Sequence, residues 1–476
     1  MSAPRKSFIL ATCCLSLFMV SMDVTIVNVA LPAIRRDLGA SVAGLEWAID
    51  GYTVVVASFL MLAGSTGDRL GRRRTFQVGL ALFSAGSLFC SLAPTTFVLV
   101  IARMVQALGG AMLNPVAMSI IANVFTAPAE RARAIGIWGA VFGVSMAVGP
   151  VVGGFLTQAV GWRSIFWINI PVGLAAVALT ARFVPESRAE KTRRPDLVGQ
   201  LLVIVALASL TSGVIEGPRR GWDTPFILGC FALGLGAIAG LVAYEARHEE
   251  PLIDLRFFKS APFAAATVTA VVAFASFSGF LFLNSLYLQD TRGLPASTAG
   301  LCTLPIALAT VVCSPLSGRL VGAGHARFAL VVAGAAMALA GLLLTDLRVE
   351  TSMQRLILDY GVFGVGLGLV NAPITNTAVS GMPRAQAGLA AAVASTSRQV
   401  GAALGVAIAG SIAGGGQRTA RSADFAQATR PVWWLVVGYG VTILLLGLAS
   451  TGARARESAR RVAYLLDEPE PGAAGR

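Results

Sequence analysis

Histidine is nearly absent from this sequence, and the cysteines lack the spacing of metal or disulfide motifs. The chain has two histidines, His248 and His325, and both fall in loop-like stretches. Its six cysteines lie inside apolar runs, without the paired spacings of metal sites or disulfide frameworks. The material for a zinc site or a histidine-based catalytic triad is therefore lacking. We predict that the protein is not an enzyme, with no catalytic residue, metal or cofactor.

Charged residues are scarce as well. They make up 13% of the chain, whereas 55% of the residues are hydrophobic, which predicts an integral membrane protein. The formal net charge of +13 raises the possibility of nucleic-acid binding. The basic residues, however, are spread through short segments and form no single face or arm, which argues against that partner. The bilayer is the expected partner.

Long apolar runs dominate what is present. Arg5 and Lys6 precede a run that continues to Leu31, longer than a signal-peptide core, so we interpret it as an uncleaved first span. Fourteen runs of about twenty residues, enough to cross a bilayer, can be counted. They cover residues 7–31, 46–66, 75–93, 97–122, 134–157, 164–184, 197–215, 226–245, 262–288, 297–318, 327–346, 355–379, 389–413 and 431–451. We predict an all-α membrane protein with fourteen transmembrane helices.

The distribution of Lys and Arg orients these spans. With the N-terminus in the cytoplasm, 24 of the 37 Lys and Arg residues fall on the cytoplasmic side and 11 outside, and Arg103 and Arg398 lie within spans. This bias follows the positive-inside rule and predicts that both termini are cytoplasmic. The expected organisation is a six-helix bundle (1–196), two additional helices (197–245), an amphipathic linker (246–261), a second six-helix bundle (262–451) and a cytoplasmic tail (452–476).

A charged turn separates the second and third spans. Its glycines, carboxylate and arginines follow a fixed spacing: Gly64, Asp68, Arg69, Gly71, Arg72 and Arg73. We predict a tight turn, in which Gly71 reverses the chain at positive φ and Asp68 accepts N–H groups at the start of a neighbouring helix. Its arginines alone would make it a topology anchor. Topology, however, requires neither the carboxylate nor the glycine spacing.

This spacing resembles the loop between helices 2 and 3 of major facilitator superfamily transporters. The resemblance implies a fold of two six-helix bundles and a loop that acts as a conformational switch. The two blocks of spans also echo each other, since Asn114-Pro115 in span 4 is matched by Asn371 and Pro373 in span 12. The segment after span 10 that corresponds to the charged turn has Gly318 in place of the aspartate. Any charge relay at this turn is therefore confined to the first block.

Asp23 and Arg103 are the strongest candidates for chemistry. Ionisable groups at membrane depth are costly and mark functional sites by default. If spans 1 and 4 are neighbours, the two charges lie at similar depth and can compensate each other. The pair either fixes packing only or undergoes protonation that drives a switch.

The residues around this pair sharpen the resemblance. The stretch from Met22 to Pro32 is similar to the span 1 motif of the fourteen-span drug:proton antiporter family. The stretch Arg103-x-x-Gln106-x-x-Gly109-Gly110 is similar to the superfamily's span 4 motif, in which the arginine is linked to proton transfer. Ala107 occupies a position where glycine is usual in that motif.

Span 5 carries a glycine-rich motif formed by Gly143, Gly149, Pro150, Gly153 and Gly154. Glycines at these intervals allow close helix packing, and Pro150 removes one backbone donor. General packing is one interpretation. The other is the antiporter motif of exporters, which the Gly-Pro-x-x-Gly-Gly core resembles.

Other membrane-depth charges are secondary candidates for binding protons or substrate: Asp50, Glu216, Asp359 and Arg398. The three acids lie within about a turn of a span boundary, so simple solvation is an alternative. Arg398 is deeper and is expected to line a central cavity.

The expected function is proton-coupled export of small amphipathic compounds such as drugs, antibiotics or dyes by alternating access. The proton gradient would be the only energy source, with protons and the exported compounds as partners and a monomer as the expected state. The alternative is an exporter dedicated to one endogenous metabolite, lipid or self-made antibiotic.

Overall fold

The computed structural model describes residues 3–188, 196–248, 251–380, 386–416 and 428–467, and within these ranges the regular structure is entirely helical. The first block contains α1 (Ala3–Leu38), α2 (Val42–Leu70), α3 (Arg72–Ser91), α4 (Thr96–Val124), α5 (Pro128–Ala159), α6 (Ser164–Trp167) and α7 (Asn169–Phe183). The next two helices are α8 (Leu197–Arg220) and α9 (Pro225–Glu245). A 3-10 helix (Leu255–Lys259) leads to the second block.

The second block contains α10 (Ala261–Leu286), a π-helical turn (Tyr287–Thr291), α11 (Ala296–Cys302), α12 (Leu304–Gly322), α13 (Ala326–Leu344), α14 (Met353–Val379), α15 (Ala387–Gly416) and α16 (Arg430–Ala449). A short helix, α17 (Ala453–Asp467), follows it. The last predicted tail residues, 468–476, lie outside the described residues, as do 189–195 and 249–250 near the predicted boundaries.

Twelve helices in the described part of the chain are long and apolar enough to cross a membrane. The helices α3 and α15 are not among the twelve, although they occupy the third and thirteenth predicted spans. Three arginines open α3, which is much less apolar than the other spans, and α15 carries Arg398 and Gln399 among many small residues. Both nevertheless pack inside the bundle, α3 against α4 and α15 against α10.

The two blocks repeat the same set of helix contacts. In the first block, α1 packs against α5, α2 against α4, and α3 against α7. The corresponding contacts of the second block are α10 with α15, α12 with α14, and α13 with α16. The helices α8 and α9 stand outside this repeat, and α8 packs against both α2 and α15, where the two blocks meet.

The bundle has two distinguishable ends. We call the end where α1 begins and where Asp68–Arg74 lie the basic end, and the other the opposite end. Near the opposite end Gln289 donates to the Val29 carbonyl at 2.8 Å, Arg35 contacts Asp290 at 3.4 Å, and the Ser297 N–H donates to Gln158 at 3.3 Å. Each of these contacts joins the first block to the second.

The hydrophobic core follows the same division. One cluster combines apolar side chains of α1, between Ile26 and Ile34, with Phe280 and Leu281 of α10. It therefore continues across both blocks at the opposite end. A separate cluster, which includes Ile9, Phe76 and Phe125, lies within the first block toward the basic end. The two blocks are therefore packed together at the opposite end.

Candidate functional site

A buried ion pair lies inside the first block. Arg103 on α4 donates to the Asp23 carboxylate on α1, and these side chains are 2% and 0% exposed. The helices α1 and α4 are in contact, which is the condition under which the sequence predicted compensation of the two charges. A buried pair of this kind is stable only when further hydrogen bonds satisfy its remaining atoms.

Three polar side chains complete those bonds. Gln106 donates to Asp23 Oδ1 at 2.8 Å and to Ser87 Oγ at 2.8 Å. Asn169 donates to the same Asp23 oxygen at 3.0 Å and to Ser87 at 3.3 Å. These residues come from α3, α4 and α7, and all three are buried. The carboxylate of Asp23 thus accepts three donors, and both of its oxygens are hydrogen-bonded.

Arg103 has additional partners of its own. Its Nη1 donates to Gln106 Oε1 at 2.6 Å, and its Nε donates to the Ala48 carbonyl on α2 at 3.2 Å. The guanidinium lies 4.2 Å from the centre of the Tyr52 ring, a cation–π arrangement. Arg103 therefore has partners on α1, α2 and α4. A change in the charge of Asp23 alters a network that joins these three helices.

A mostly apolar cavity lies between the two blocks near this network. It is small, and its lining includes Thr25, Met146, Pro150, Phe277, Leu281 and Leu367. A second small cavity shares Thr25, Pro150 and Leu281 with the first and adds Asn28, Asn284 and Ser285. Thr25 follows Asp23 by two residues on α1, so the same helix segment borders both the cavity and the ion pair.

The glycines of α5 lie at two helix interfaces. A methyl group at Gly149 would overlap Thr25, and one at Gly153 would overlap Ile26, so α1 is in close contact with α5. A methyl group at Gly154 would lie 2.9 Å from the Ala296 carbonyl carbon, on the second block. Gly143 is looser, since its added carbon would be 3.6 Å from Val311. Pro150 lies within the continuous helix α5.

The charged turn is shorter than the sequence predicted. The prediction of a turn over the whole stretch is wrong, because α2 continues through Gly64, Asp68 and Arg69 to Leu70 and α3 begins at Arg72. Gly71 alone interrupts the helices, with φ of 115°, as predicted for this residue. The Asp68–Arg72 ion pair, 2.8 Å long, spans the break and joins the end of α2 to the start of α3.

At the start of α3 the acid that accepts a backbone N–H is Glu186, and not Asp68 as the sequence predicted. Glu186, which follows α7, accepts the Arg73 N–H at 3.1 Å, and the Arg73 side chain donates to the Ala181 carbonyl at 2.5 Å. Asp68 instead pairs with the Arg72 side chain. A methyl group at Gly67 would lie 2.9 Å from Val116 of α4, so the end of α2 is packed tightly against that helix.

Two of the secondary acids are fully buried, so the interpretation that they are solvated is wrong for them. Asp50 is 0% exposed and Asp359 is 1% exposed. Both oxygens of each carboxyl lack a hydrogen bond in the structure, and Arg355 approaches Asp359 at 3.8 Å. On the adjoining loop, hydrogen bonds from Arg348 and Arg355 hold the pKa of Asp346 below its usual range.

The other two secondary candidates have local contacts. Glu216 is 15% exposed and pairs with Arg219 at 2.7 Å and Arg220 at 3.1 Å. Arg398 donates to Thr375 at 2.6 Å and lies 5.8 Å from the Phe274 ring, which places it among helices of the second block. The cavities described above are lined by other residues.

Several contacts at the site were not predicted from the sequence. Gln106 and Asn169 donate to Asp23, Ser87 accepts from both amides, and Glu46 is a buried acid one turn before Asp50. The sequence signal for these residues was an isolated amide or acid inside an apolar run. Its significance depends on partners from distant segments, which sequence spacing does not reveal.

Comparison with known protein families identifies the superfamily of this chain. The model of the Major Facilitator Superfamily matches residues 13–406. This chain belongs to the major facilitator superfamily. It is therefore a transporter, and its many apolar spans make it a multi-pass protein of the cell membrane.

Several relatives are drug-resistance proteins. The transporter is 39% identical over 401 residues to "Multidrug resistance protein Stp" of Mycobacterium tuberculosis, covering 84% of this chain and 74% of the relative. It is 37% identical to "Tetracenomycin C resistance and export protein" of Streptomyces glaucescens, with coverage of 82% and 73%. It is 34% identical to "Methylenomycin A resistance protein" of Streptomyces coelicolor, covering 82% of each chain.

Solved structures share the fold at low sequence identity. A bacterial homologue of the human lysosomal transporter Spinster, inward-facing and unoccupied, matches with a TM-score of 0.63 and 17% identity over 99% of this chain and 100% of that one. A bacterial homologue of the human peptide transporters PepT1 and PepT2 matches with a TM-score of 0.64 and 16% identity over 96% and 99% of the two chains.

Proposed function

We propose that this transporter exports small amphipathic compounds in exchange for protons, with Asp23 as the proton carrier and Arg103 as its partner. The observation that carries the proposal is the buried ion pair beside the cavity between the blocks. The relatives named for drug resistance and for tetracenomycin C export support outward transport of such compounds. An apolar cavity with few polar groups suits an amphipathic ligand.

We further propose fourteen spans with both termini in the cytoplasm. In this arrangement α3 and α15 cross the membrane with the twelve more apolar helices, and the blocks 1–196 and 262–451 flank the additional pair 197–245, with 246–261 as linker and 452–476 as tail. The positive-inside rule then assigns the basic end to the cytoplasm. The conformation described above is consequently closed toward the outside.

The proposed cycle begins with a proton from the outside. Protonation of Asp23 removes the negative charge that Arg103 faces, so the contacts that join α1, α2 and α4 weaken. The close contacts of Gly149 and Gly153 with α1 transmit a shift of α1 to α5, which borders the second block. Release of the proton inside restores the ion pair. Each proton moving down a potential of about 100 mV supplies about 2.3 kcal/mol.

The charged turn and the secondary charges have supporting roles in this proposal. The residues Gly64 to Arg73 act as a switch at the inner end of α2, where Asp68–Arg72 and Glu186–Arg73 contacts must rearrange when the blocks rock. Asp50, Glu216, Asp359 and Arg398 are candidates for binding protons or substrate.

A dedicated exporter of one compound is the second candidate. It is favoured by a specific observation, since two of the relatives are named for single antibiotics, tetracenomycin C and methylenomycin A. A panel of unrelated drugs and dyes, tested on cells with and without the gene, separates the two. Protection against several classes supports broad export, and protection against one supports the dedicated exporter.

Everted membrane vesicles test the proton step directly. We expect Asp23→Asn to abolish dye uptake driven by a proton gradient, as an uncoupler does in the wild type. The control is Asp223→Asn, which neutralises an exposed aspartate in the loop between α8 and α9 and leaves uptake unchanged. Proton-driven uptake by Asp23→Asn at the wild-type rate would remove Asp23 from the mechanism.

A further inference from the structure

Glu46 is a buried acid at the junction of the two blocks. It lies in the first turns of α2, is 2% exposed, and its Oε2 has no hydrogen-bond partner. Its carboxyl packs on Gly410 of α15, since a methyl group at Gly410 would overlap it. The helix α8 packs against both α2 and α15. Glu46 therefore lies where two blocks and one additional helix meet, toward the opposite end of the bundle.

The charges around Glu46 disfavour a second negative charge there. Asp50 is one turn further along α2, fully buried and also without a hydrogen bond. From α8 the facing charge is Glu216, and the nearby Arg219 and Arg220 already pair with it. From α15 the contact is Gly410, which has no charge. Arg103, on the neighbouring α4, is engaged by Asp23 and the Ala48 carbonyl.

A carboxylate buried without a donor or a counter-charge is strongly disfavoured relative to its neutral form. Closure of α2 on α15 therefore requires a neutral Glu46. When this end separates, water reaches the side chain and the carboxylate form becomes stable. We propose that Glu46 is a second proton-binding site, which takes up a proton from the external side as the outer end closes and gives it back to that side as the end opens.

The sign of the pH dependence follows from linkage. The closed state binds one more proton than the open state, so acid on the outer side favours closure and alkali favours opening. This site rests on the proposed orientation of the transporter, in which the opposite end faces outward. It is separate from the task of Asp23, because it governs closure of one end and not coupling across the membrane.

Hydrogen–deuterium exchange of the purified full-length protein tests closure without any transport measurement. The peptides to follow cover residues 42–50 and 287–297, at the opposite end, with exchange corrected for the intrinsic effect of pH. Between about pH 5.5 and about pH 8 we expect exchange in the wild type to rise, with the closed-to-open ratio falling by up to about tenfold per pH unit. Glu46→Gln keeps the shape and stays neutral, so it remains protected at both values.

Two further variants make the outcome decisive. Glu46→Asp restores a titratable group and is expected to restore the pH response. Glu350→Gln, a matched change at an exposed glutamate on the α13–α14 loop, is expected to behave as the wild type. The wild-type pH response in Glu46→Gln, or its loss in Asp50→Asn but not in Glu46→Gln, would overturn the assignment. A failure of Asp23→Asn in the vesicle assay would leave this exchange result unaffected, so the two proposals fail separately.

Discussion

Replacement of Asn169 by leucine removes one hydrogen bond to the proposed proton carrier, together with a longer bond to Ser87 at 3.3 Å. The Asn169 amide donates to Asp23 Oδ1 at 3.0 Å, while its own carbonyl oxygen is buried without a partner. Leucine has a similar size, removes the donor and also removes the unsatisfied acceptor. The fold should therefore tolerate the change, and the loss should fall on the network around Asp23.

The magnitude can be worked from the remaining donors. A hydrogen bond to a charged group contributes about 1.5–3 kcal/mol. Gln106 still donates to the same carboxylate oxygen and Arg103 to the other, so the lower value applies. Since about 1.4 kcal/mol corresponds to a tenfold change in an equilibrium constant, the state with the network intact should become about tenfold less favourable relative to the state in which it is broken. We expect proton-driven dye transport to fall several-fold.

Proton-driven dye uptake by everted vesicles is the assay. Asn371→Leu on α14 is the matched control, because the Asn371 amide donates only within its own helix, to the Leu367 carbonyl at 3.3 Å. The control should keep the wild-type rate. If Asn169→Leu transported dye at the wild-type rate, the bond would have no bearing on the proton step.

The remaining predictions concern glycines. Gly154→Ala should impair closure of the outer end and slow transport several-fold, because its methyl group would lie 2.9 Å from the Ala296 carbonyl carbon, whereas Gly139→Ala on the same helix has nothing within 4 Å and should be neutral. Equal transport by the two variants would contradict the contact. Gly71→Ala should lower stability by about 1–3 kcal/mol, since φ is 115° there, and Gly229→Ala in α9 serves as the control in a thermal-unfolding assay. Equal unfolding temperatures would show that the break tolerates a side chain.

Hydropathy and charge were sufficient to predict the helical fold and the reversal at Gly71, because both depend on residues close in sequence. They did not give the extent of α2, since the helix continues through Asp68 and Arg69 to Leu70 in a stretch whose charge resembles a loop. Sequence also drew attention to Asp23 and Arg103, because charges in apolar runs are rare. The donors Gln106 and Asn169 come from helices whose approach depends on packing, and amides occur in many roles. Their function therefore emerges only when the helices are assembled.

The two blocks differ at the position where the proposed proton chemistry takes place. Arg103 lies eleven residues before Asn114 on α4, and Tyr360 lies eleven residues before Asn371 on α14, the counterpart of α4 in the repeated packing. Tyr360 donates to Asn284 on α10, the counterpart of α1, and both are buried.

An ion pair between counterpart helices in the first block is thus replaced by a neutral hydrogen bond in the second. A neutral tyrosine–asparagine pair does not change its charge over the physiological pH range, whereas a carboxylate that meets an arginine changes its interaction each time it is protonated. The segment of the second block that corresponds to the charged turn also lacks the acidic group, because Gly318 replaces the aspartate. In the proposed mechanism the first block therefore responds to the proton, and the second follows through the contacts of α5 with α11 and of α2 with α15.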